Sequence, residues 1–261
     1  MFFHYTIGLT TGNLWGHILD RGIWIAWYNL QDKSRDAYLE WLHGNYIPKQ
    51  LARPGIKWAA HYASLENVKL SGAKGRLSNI KGSAVPTGDR YILLFGGDDA
   101  HAFVRPAPRE FHAQLPTADR KMLAMRLGER SNIMAEEARV HGPEAARPEA
   151  MMALSPCIQI GSFNAGADQD EDELASWYAT WRLPCMEKLP GCVRVRKYAS
   201  VAGWAKHAIL YEFTSPEARN ENFLDHEQPY PEQEAWSDRV VRKLVHAPGS
   251  PNLARRIWPE S

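Results

Sequence analysis

The chain has 261 residues, of which 31 are Lys or Arg and 30 are Asp or Glu, so its formal net charge at pH 7 is +1. This near-neutral balance lacks the positive excess typical of nucleic-acid-binding domains. The most apolar runs are strand-length and fall short of the roughly 20 residues of a membrane span. Three cysteines without metal-ligand spacing, and no signal-peptide pattern, predict a reduced cytoplasmic protein without a bound metal.

One segment of the sequence occurs twice. Residues 41–64 align without a gap to residues 177–200, and seven of the 24 positions are identical. The identical pairs are Trp41/Trp177, Pro48/Pro184, Pro54/Pro190, Gly55/Gly191, Tyr62/Tyr198, Ala63/Ala199 and Ser64/Ser200. A repeat of this length determines the architecture. We predict two copies of one module, residues 1–150 with an N-terminal extension and residues 151–261 with a C-terminal tail.

The same elements are predicted in the same order in both halves. First strands are predicted at 23–29 and 158–164, first helices at 32–46 and 168–181, and second strands at 56–64 and 192–200. Pro48 and Pro184 are predicted to end the first helices or the turns after them. The Pro-Gly pairs that contain Gly55 and Gly191 mark the entry into the second strands.

The remaining elements complete a β-α-β-β-α-β order. Third strands are predicted at 91–95 and 208–213, helical structure within 117–130 and from Ser215 onward, and final strands at 134–141 and 240–246, with a linker at 142–156. This order is that of the ferredoxin-like split βαβ unit. A four-stranded sheet with helices on one face leaves its other face uncovered, so we expect the two sheets to pack together.

The repeated string resembles the EthD-like branch of the dimeric α+β barrel superfamily, in which it reads approximately W-x-x-x-x-H-x-P, then P-G-F-x-x-x-R-R-Y. The resemblance covers about two-thirds of the chain. It implies an α+β fold in which two tandem ferredoxin-like modules pack as an intramolecular dimeric α+β barrel, since usual members are homodimers of single modules. The family's histidine is replaced by Tyr46 in the first copy and Arg182 in the second, so the halves have diverged asymmetrically.

Three residues of the first half are candidates for catalytic proton transfer. His43 and Tyr46 are three residues apart on the predicted helix, and His61 lies on the strand that should pack beside it. A histidine and tyrosine set can act as general base and as hydrogen-bond donor to a carbonyl or enolate oxygen. The alternative is that these side chains are ordinary surface or core residues.

Arginines of the second half are candidates for binding an anionic substrate. Period-two alternation places Cys192, Arg194, Arg196 and Tyr198 on one face of the strand. Together with Arg182, the two strand arginines would form a corner suited to a carboxylate. The alternative is that Arg194 and Arg196 pair with internal acids such as Glu212.

The ten tryptophans of the chain suggest a pocket with aromatic walls. The candidates for substrate-lining aromatic residues are Trp27, Tyr28, Trp58 and Trp181. Trp41 and Trp177 recur at equivalent places in the repeat, and we expect both to pack in the core.

The leading interpretation is a cofactor-free lyase or isomerase that uses acid/base chemistry for decarboxylation, dehydration or cyclisation. Its partner would be a small aromatic or polyketide-like molecule, anionic or carrying a carbonyl, with no nucleic acid and no membrane, and a homodimer is compatible with the pattern. One alternative is a non-catalytic ligand-binding or accessory protein. Another is a haem- or oxygen-using enzyme.

Overall fold

A computed structural model describes residues 20–66, 76–82, 85–146 and 154–260. The strands in these residues are β1 (Gly22–Asn29), β2 (Ile56–Ser64), β3 (Ser78–Asn79), β4 (Tyr91–Gly97), β5 (Leu127–His141), β6 (Cys157–Asn164), β7 (Cys192–Ala202), β8 (His207–Phe213), β9 (Val245–His246) and β10 (Asn252–Trp258). The α-helices are α1 (Asp32–Trp41), α2 (Ile47–Leu51), α3 (Pro108–Gln114), α4 (Thr117–Leu123), α5 (Asp170–Trp177), α6 (Leu183–Met186), α7 (Pro216–Phe223) and α8 (Pro231–Lys243). Residues 1–19 of the predicted N-terminal extension and residues 147–153 of the predicted linker lie outside the described residues.

Eight strands form a closed antiparallel barrel. Their order around the ring is β10, β2, β4, β1, β5, β7, β8 and β6, and β6 pairs again with β10. Closure leaves these strands without a free edge, which removes the hydrogen-bonding groups that an open sheet would expose. The fold is therefore of the α+β class, with the helices on the outside of a barrel.

Each half of the chain contributes four neighbouring strands in the same spatial order. In both halves this order is second, third, first and fourth along the sequence, namely β2-β4-β1-β5 and β7-β8-β6-β10. The two sets join where the fourth strand of each meets the second strand of the other, through β5–β7 and β10–β2. The strand pairing of the barrel is therefore two-fold symmetric, although one chain supplies all eight strands.

Three apolar cores follow from the alternation of side chains along the strands. Ile23, Ile25 and Trp27 of β1 point into the barrel, and they pack there against residues from both halves. Trp24 and Tyr28, on the opposite face of β1, pack under the helices of the first half. A third core lies between the strands and helices of the second half. Each half therefore has its own layer between helix and sheet.

The structure corrects the role predicted for Pro48 and Pro184. Both prolines lie inside continuing helical structure, in α2 and α6, directly after π-helical turns at Leu42–Tyr46 and Tyr178–Arg182. Proline lacks an N–H and its ring clashes with the carbonyl four residues earlier in a regular α-helix. The wider π-helical turn relieves that clash, so the helix passes each proline instead of ending there.

The prediction of a strand at 240–246 is wrong. Helix α8 continues to Lys243, only Val245–His246 is extended, and the strand that completes the second half is β10. Helical structure within 117–130 is confirmed only for α4, since β5 already begins at Leu127. The strand predicted at 134–141 is longer than predicted, because β5 extends from Leu127 to His141. The other predicted strands are found within a few residues of their predicted bounds, and the first helices begin within two residues of theirs. No described helix has the length and apolarity needed to cross a membrane.

Candidate functional site

The layer between helix and sheet in the first half contains a chain of hydrogen-bonded titratable side chains. His43, from the π-helical turn, places its Nε2 2.9 Å from Nδ1 of His61 on β2. The other ring nitrogen of His61 lies 2.9 Å from the hydroxyl of Tyr28 on β1. His61 and Tyr28 are fully buried, whereas His43 is partly exposed. The chain therefore connects the surface with the interior.

The inner end of this chain is a buried arginine that the sequence analysis did not select. Arg126 donates from Nε to the hydroxyl of Tyr38 at 2.5 Å and pairs with Glu129 at 2.6 Å. Its guanidinium lies 4.6 Å from the ring centre of Tyr28 and 5.4 Å from that of Tyr46. These distances are typical of cation–π contacts. Its Nη2 atom is buried and has no protein partner.

Arg126 donates to the hydroxyl of Tyr38, because a guanidinium can only donate. Burial raises the pKa of Tyr38, while the nearby Arg126 lowers it. The hydrogen bonds from Tyr28 through His61 to His43 can run in either direction, because a neutral imidazole has one donor and one acceptor nitrogen. In one of the two arrangements, Nε2–H of His43 donates to Nδ1 of His61 and Nε2–H of His61 donates to Tyr28. The lone pair of His43 then lies on Nδ1, as a base requires.

Both histidines of the chain are held in the neutral state. Burial lowers the pKa of His43, although the nearby Glu260 raises it. Burial lowers the pKa of His61 well below its usual value, and His43 and Arg126 lower it further. At neutral pH, His43 is therefore an unprotonated imidazole oriented by His61, the arrangement of a general base with a positioning partner.

Aromatic rings surround the outer end of the chain. The indole of Trp258 on β10 stacks on His43 with 6.0 Å between ring centres, and Tyr91 stacks on His61 at 5.6 Å. Trp258 and Tyr91 are partly exposed, like His43. A planar aromatic molecule at this surface would meet Trp258, Tyr91 and His43, all of them partly exposed.

The structure places Tyr46 apart from the two histidines with which it was grouped. Its hydroxyl lies 2.7 Å from Nε2 of His112 on α3. Burial raises the pKa of Tyr46 and lowers that of His112 to about 4. Tyr46 and His112 thus form a neutral pair beside Arg126, while His43 and His61 form the chain described above.

At the equivalent place in the second half, Arg182 forms a charged cluster. Its Nε donates to the hydroxyl of Tyr211 at 3.1 Å, and its Nη1 lies 2.5 Å from Nε2 of His226 and 3.2 Å from Glu227. Glu227 also accepts from the indole of Trp181 at 3.2 Å. Arg182, Tyr211 and Glu227 line a cleft of about 690 Å³, including its open mouth, between the helices and the sheet.

A second titratable group occupies the place of His61 in the second half. Lys197 is nearly fully buried, and its Nζ lies 2.7 Å from Glu137 and 3.2 Å from Nδ1 of His207. The other nitrogen of His207 lies 2.8 Å from Glu171. The two halves thus place different chemistry at equivalent sites.

Arg194 and Arg196 do not meet Arg182, contrary to the predicted anion corner. Both pair with Glu212, whose side chain points into the barrel, while Arg182 contacts Tyr211 on the opposite face of β8. Adjacent residues of a strand point to opposite sides of the sheet, which separates the two groups. The geometry agrees instead with the alternative prediction, in which Arg194 and Arg196 pair with the internal acid Glu212.

Burial raises the pKa of the Glu212 carboxyl, but Arg194 and Arg196 outweigh it and lower the pKa to about 2. Arg196 also pairs with Asp20 at 2.8 Å. Tyr198 shares this interior face, and its hydroxyl has no protein partner. Cys192 was predicted on the same face but packs under the helices, because a β-bulge between Cys192 and Arg194 shifts the alternation.

The predicted aromatic residues do not share one pocket. Trp27 lies in the barrel, with the guanidinium of Arg130 4.0 Å from its ring centre. Trp58 also points into the barrel and donates to Asp20 at 2.6 Å. Tyr28 belongs to the histidine chain, and Trp181 lies in the second half. Neighbouring positions of β1 face opposite sides, so Trp27 and Tyr28 cannot line the same cavity.

No family model matches the chain, and no curated protein matches it in sequence. Solved structures do match it along most of its length. An anthrone oxidase-like protein is 10% identical over 92% of this chain and 92% of its own, with a TM-score of 0.60. A dye-decolorizing protein from V. cholerae is 9% identical over 90% of this chain and 93% of its own, with a TM-score of 0.53. A proposed monooxygenase from Lactobacillus acidophilus NCFM is 11% identical over 91% of this chain and 94% of its own, with a TM-score of 0.50.

The fold is similar to that of dimeric α+β barrel proteins. This similarity confirms the α+β barrel fold that the sequence resemblance implied. Because the sequence identities are only about 10%, the similarity shows the arrangement of the backbone alone. It does not indicate the reaction, since one fold carries many reactions. The reaction must therefore be argued from this chain's own side chains.

Proposed function

We propose that the protein is a cofactor-free enzyme that removes a proton from an aromatic or polyketide-like substrate next to a carbonyl group. The observation that carries this proposal is the hydrogen-bonded chain from Tyr28 through His61 to His43, with Arg126 and Tyr38 at its inner end. In the proposed tautomer, Nδ1 of a neutral His43 carries the lone pair, and the partly exposed ring of Trp258 stacks on the imidazole. General bases of this kind contribute roughly 10²–10⁴-fold to rate.

In the proposed step, His43 Nδ1 takes the proton from the substrate carbon, and the C–H electron pair moves into the carbonyl to form an enolate. His61 is a positioning residue, since it holds His43 in the required tautomer. Arg126 holds the inner end of the chain in place, through its hydrogen bond to Tyr38 and its contact with the ring of Tyr28. The enolate then eliminates, rearranges or is reprotonated, which corresponds to a lyase or an isomerase.

We also propose that the chain is a fused pseudo-dimer of two ferredoxin-like modules, residues 1–150 and 151–261, from the EthD-like branch. The equal strand order of the halves supports this origin. So do the two π-helical turns at equivalent positions, which carry His43 in one half and Arg182 in the other. Active-site chemistry in the first half and a different cleft in the second fit the asymmetric divergence of the repeat.

Anthrone, an enolisable aromatic ketone, is a suitable probe for this proposal, and the anthrone oxidase-like neighbour motivates the choice. In D₂O without oxygen, we expect the protein to catalyse exchange of the methylene protons, observed by NMR. His43→Gln should slow this exchange at least about tenfold. His101→Gln, at an exposed histidine of the first half, is the matched control and should retain full activity.

The same assay distinguishes the alternatives. Consumption of oxygen by the protein when anthrone is added in air would indicate an oxygen-using enzyme that begins with the same proton transfer. A Soret absorption band of the purified protein would indicate a haem enzyme and would oppose the cofactor-free proposal. Equal exchange rates for the natural chain and His43→Gln would reject His43 as the base.

A further inference from the structure

The cleft of the second half is a candidate for a second site, separate from the proposed base in the first half. It lies between the sheet and α8. Its walls include the rings of Phe163, Trp177, Tyr178 and Tyr211. Such walls favour a flat, apolar ligand body.

The charged groups around this cleft satisfy one another. Arg182 bonds to Tyr211, His226 and Glu227. Glu227 in turn accepts a short hydrogen bond from Ser237 at 2.5 Å. A charged ligand would have to displace one of these partners and leave a buried charge unpaired, which is costly. The cleft is therefore suited to an uncharged ligand.

One buried polar atom of the cleft lacks a partner. His246 is 5% exposed, and its Nδ1 has no hydrogen bond. Burial lowers the pKa of His246 to about 4, so the imidazole is neutral at pH 7. A neutral imidazole has one donor and one acceptor nitrogen, and in the tautomer with the proton on Nε2 the buried Nδ1 is an acceptor without a donor. A buried acceptor without a donor is a cost that a ligand hydroxyl would remove.

The first half of the chain holds His246 in place across the molecule. Strand β3 pairs with β9, and the backbone N–H of Ile80 donates to the carbonyl of His246 at 2.9 Å. Asn79 donates to the carbonyls of Ala247 and Ser250, both at 2.8 Å. Arg76 lines the cleft and pairs with Asp238 of α8 at 2.7 Å. Residues 76–80 of the first half thus complete the rim of a cleft formed by the other half.

We propose that this cleft binds an uncharged hydroxylated aromatic molecule, whose ring lies between the aromatic walls and whose hydroxyl donates to Nδ1 of His246. The site needs neither the base nor the histidine chain of the first half. It would hold a phenol-class ligand whether or not the proposed proton abstraction takes place.

Three probes with the same ring system test the ligand chemistry. Isothermal titration of the full chain should show saturable binding of 1-naphthol, about three- to tenfold tighter than that of naphthalene, the gain expected from one buried hydrogen bond. The anion 1-naphthoate should bind more weakly than 1-naphthol, because the charged groups around the cleft already satisfy one another. Naphthoate binding as tight as naphthol binding, or no saturable binding of naphthol, would overturn the proposal.

Variants locate the binding. His246→Phe should make the affinities for 1-naphthol and naphthalene equal, and Val241→Trp, on the α8 wall, should weaken both at least tenfold by filling the cleft. Far-UV circular dichroism establishes that each variant is folded. Naphthol preference that survives His246→Phe, or undiminished binding to folded Val241→Trp, would contradict the site. His43→Gln should leave naphthol binding unchanged, which separates this test from that of the proposed reaction.

Discussion

Tyr46 and Arg182 occupy equivalent positions at the ends of the two π-helical turns, and each contacts a histidine contributed from beyond the third strand of its half. The Tyr46 hydroxyl lies 2.7 Å from His112, and Arg182 Nη1 lies 2.5 Å from His226. Because arginine only donates, Nε2 of His226 must accept, and its Nδ1 donates to the carbonyl of Phe223 at 2.6 Å. The two halves thus keep a contact to a histidine at the same position, but the contact is neutral in the first half and cationic in the second.

Buried neutral histidines should make the protein less stable as the pH falls from about 6.5 towards 4. Burial lowers the pKa of His112, His226 and His246 to about 4, so in this window the unfolded chain binds protons that the folded chain does not. Each such histidine reduces the free energy of unfolding by about 1.4 kcal/mol per pH unit. Urea denaturation at pH 6 and pH 5 measures this slope.

His246→Phe provides the control for that slope, because the variant lacks one titrating group. Its loss of stability between pH 6 and pH 5 should be smaller than that of the natural chain by about 1.4 kcal/mol. An unchanged slope would mean that His246 titrates normally in the folded protein.

Removing the carboxylate of Glu212 should strongly destabilise the barrel. Glu212 is fully buried and pairs with Arg194 at 2.8 Å and Arg196 at 3.1 Å. Glu212→Gln removes this shared carboxylate, which leaves only Asp20, among the described residues, to pair with the buried guanidinium of Arg196. The expected loss in free energy of unfolding is about 3–5 kcal/mol. Glu217→Gln, at an exposed position 3.8 Å from Arg255, should change it by less than about 0.5 kcal/mol. Similar losses for both variants, measured by urea denaturation, would contradict this account.

Local sequence signals predicted those elements whose pattern is local. The bounds predicted for β2 match the observed Ile56–Ser64, because the Pro-Gly turn and the alternating pattern lie within the segment itself. Strand β10 was missed, since it is identified by its pairing with β2 and β6, far away in sequence. Val240 and Val241 suggested a strand by composition, yet Val240 and Leu244 are buried one helical turn apart at the end of α8.

In the candidate site, too, the contacts with a local sequence signal were predicted and those between distant segments were missed. The proximity of His43 and His61 followed from a helix packed on the strand after it, and the structure places their rings in hydrogen-bonding contact. Arg126 was missed because it lies just before β5, in a segment of helical composition, and approaches Tyr38 from 88 positions away in sequence. Its signal was a lone basic residue between helix and strand, which has no distinctive local pattern.

Exposure should separate the two histidines in a rescue experiment. Added imidazole can occupy the space left by His43→Ala, because that position is partly exposed, and it should restore part of the anthrone exchange activity. The buried position of His61→Ala should not admit imidazole, so this variant should stay inactive. Rescue of both variants, or of His61→Ala alone, would contradict the assignment of His43 as the outer base.

Gly191 tests whether the duplicated Pro-Gly turns are required by the backbone. Its φ is +79°, a region that L-residues with a Cβ rarely adopt, and a Cβ there would lie 2.9 Å from Cβ of Ala218. Gly191→Ala should therefore reduce the free energy of unfolding by about 1–3 kcal/mol. Gly44 is helical, and a Cβ added to it would have no other atom within 4 Å, so Gly44→Ala should be neutral or stabilise by up to about 1 kcal/mol. Urea denaturation of the two variants should give opposite signs, and a neutral Gly191→Ala would show that the turn tolerates an ordinary residue.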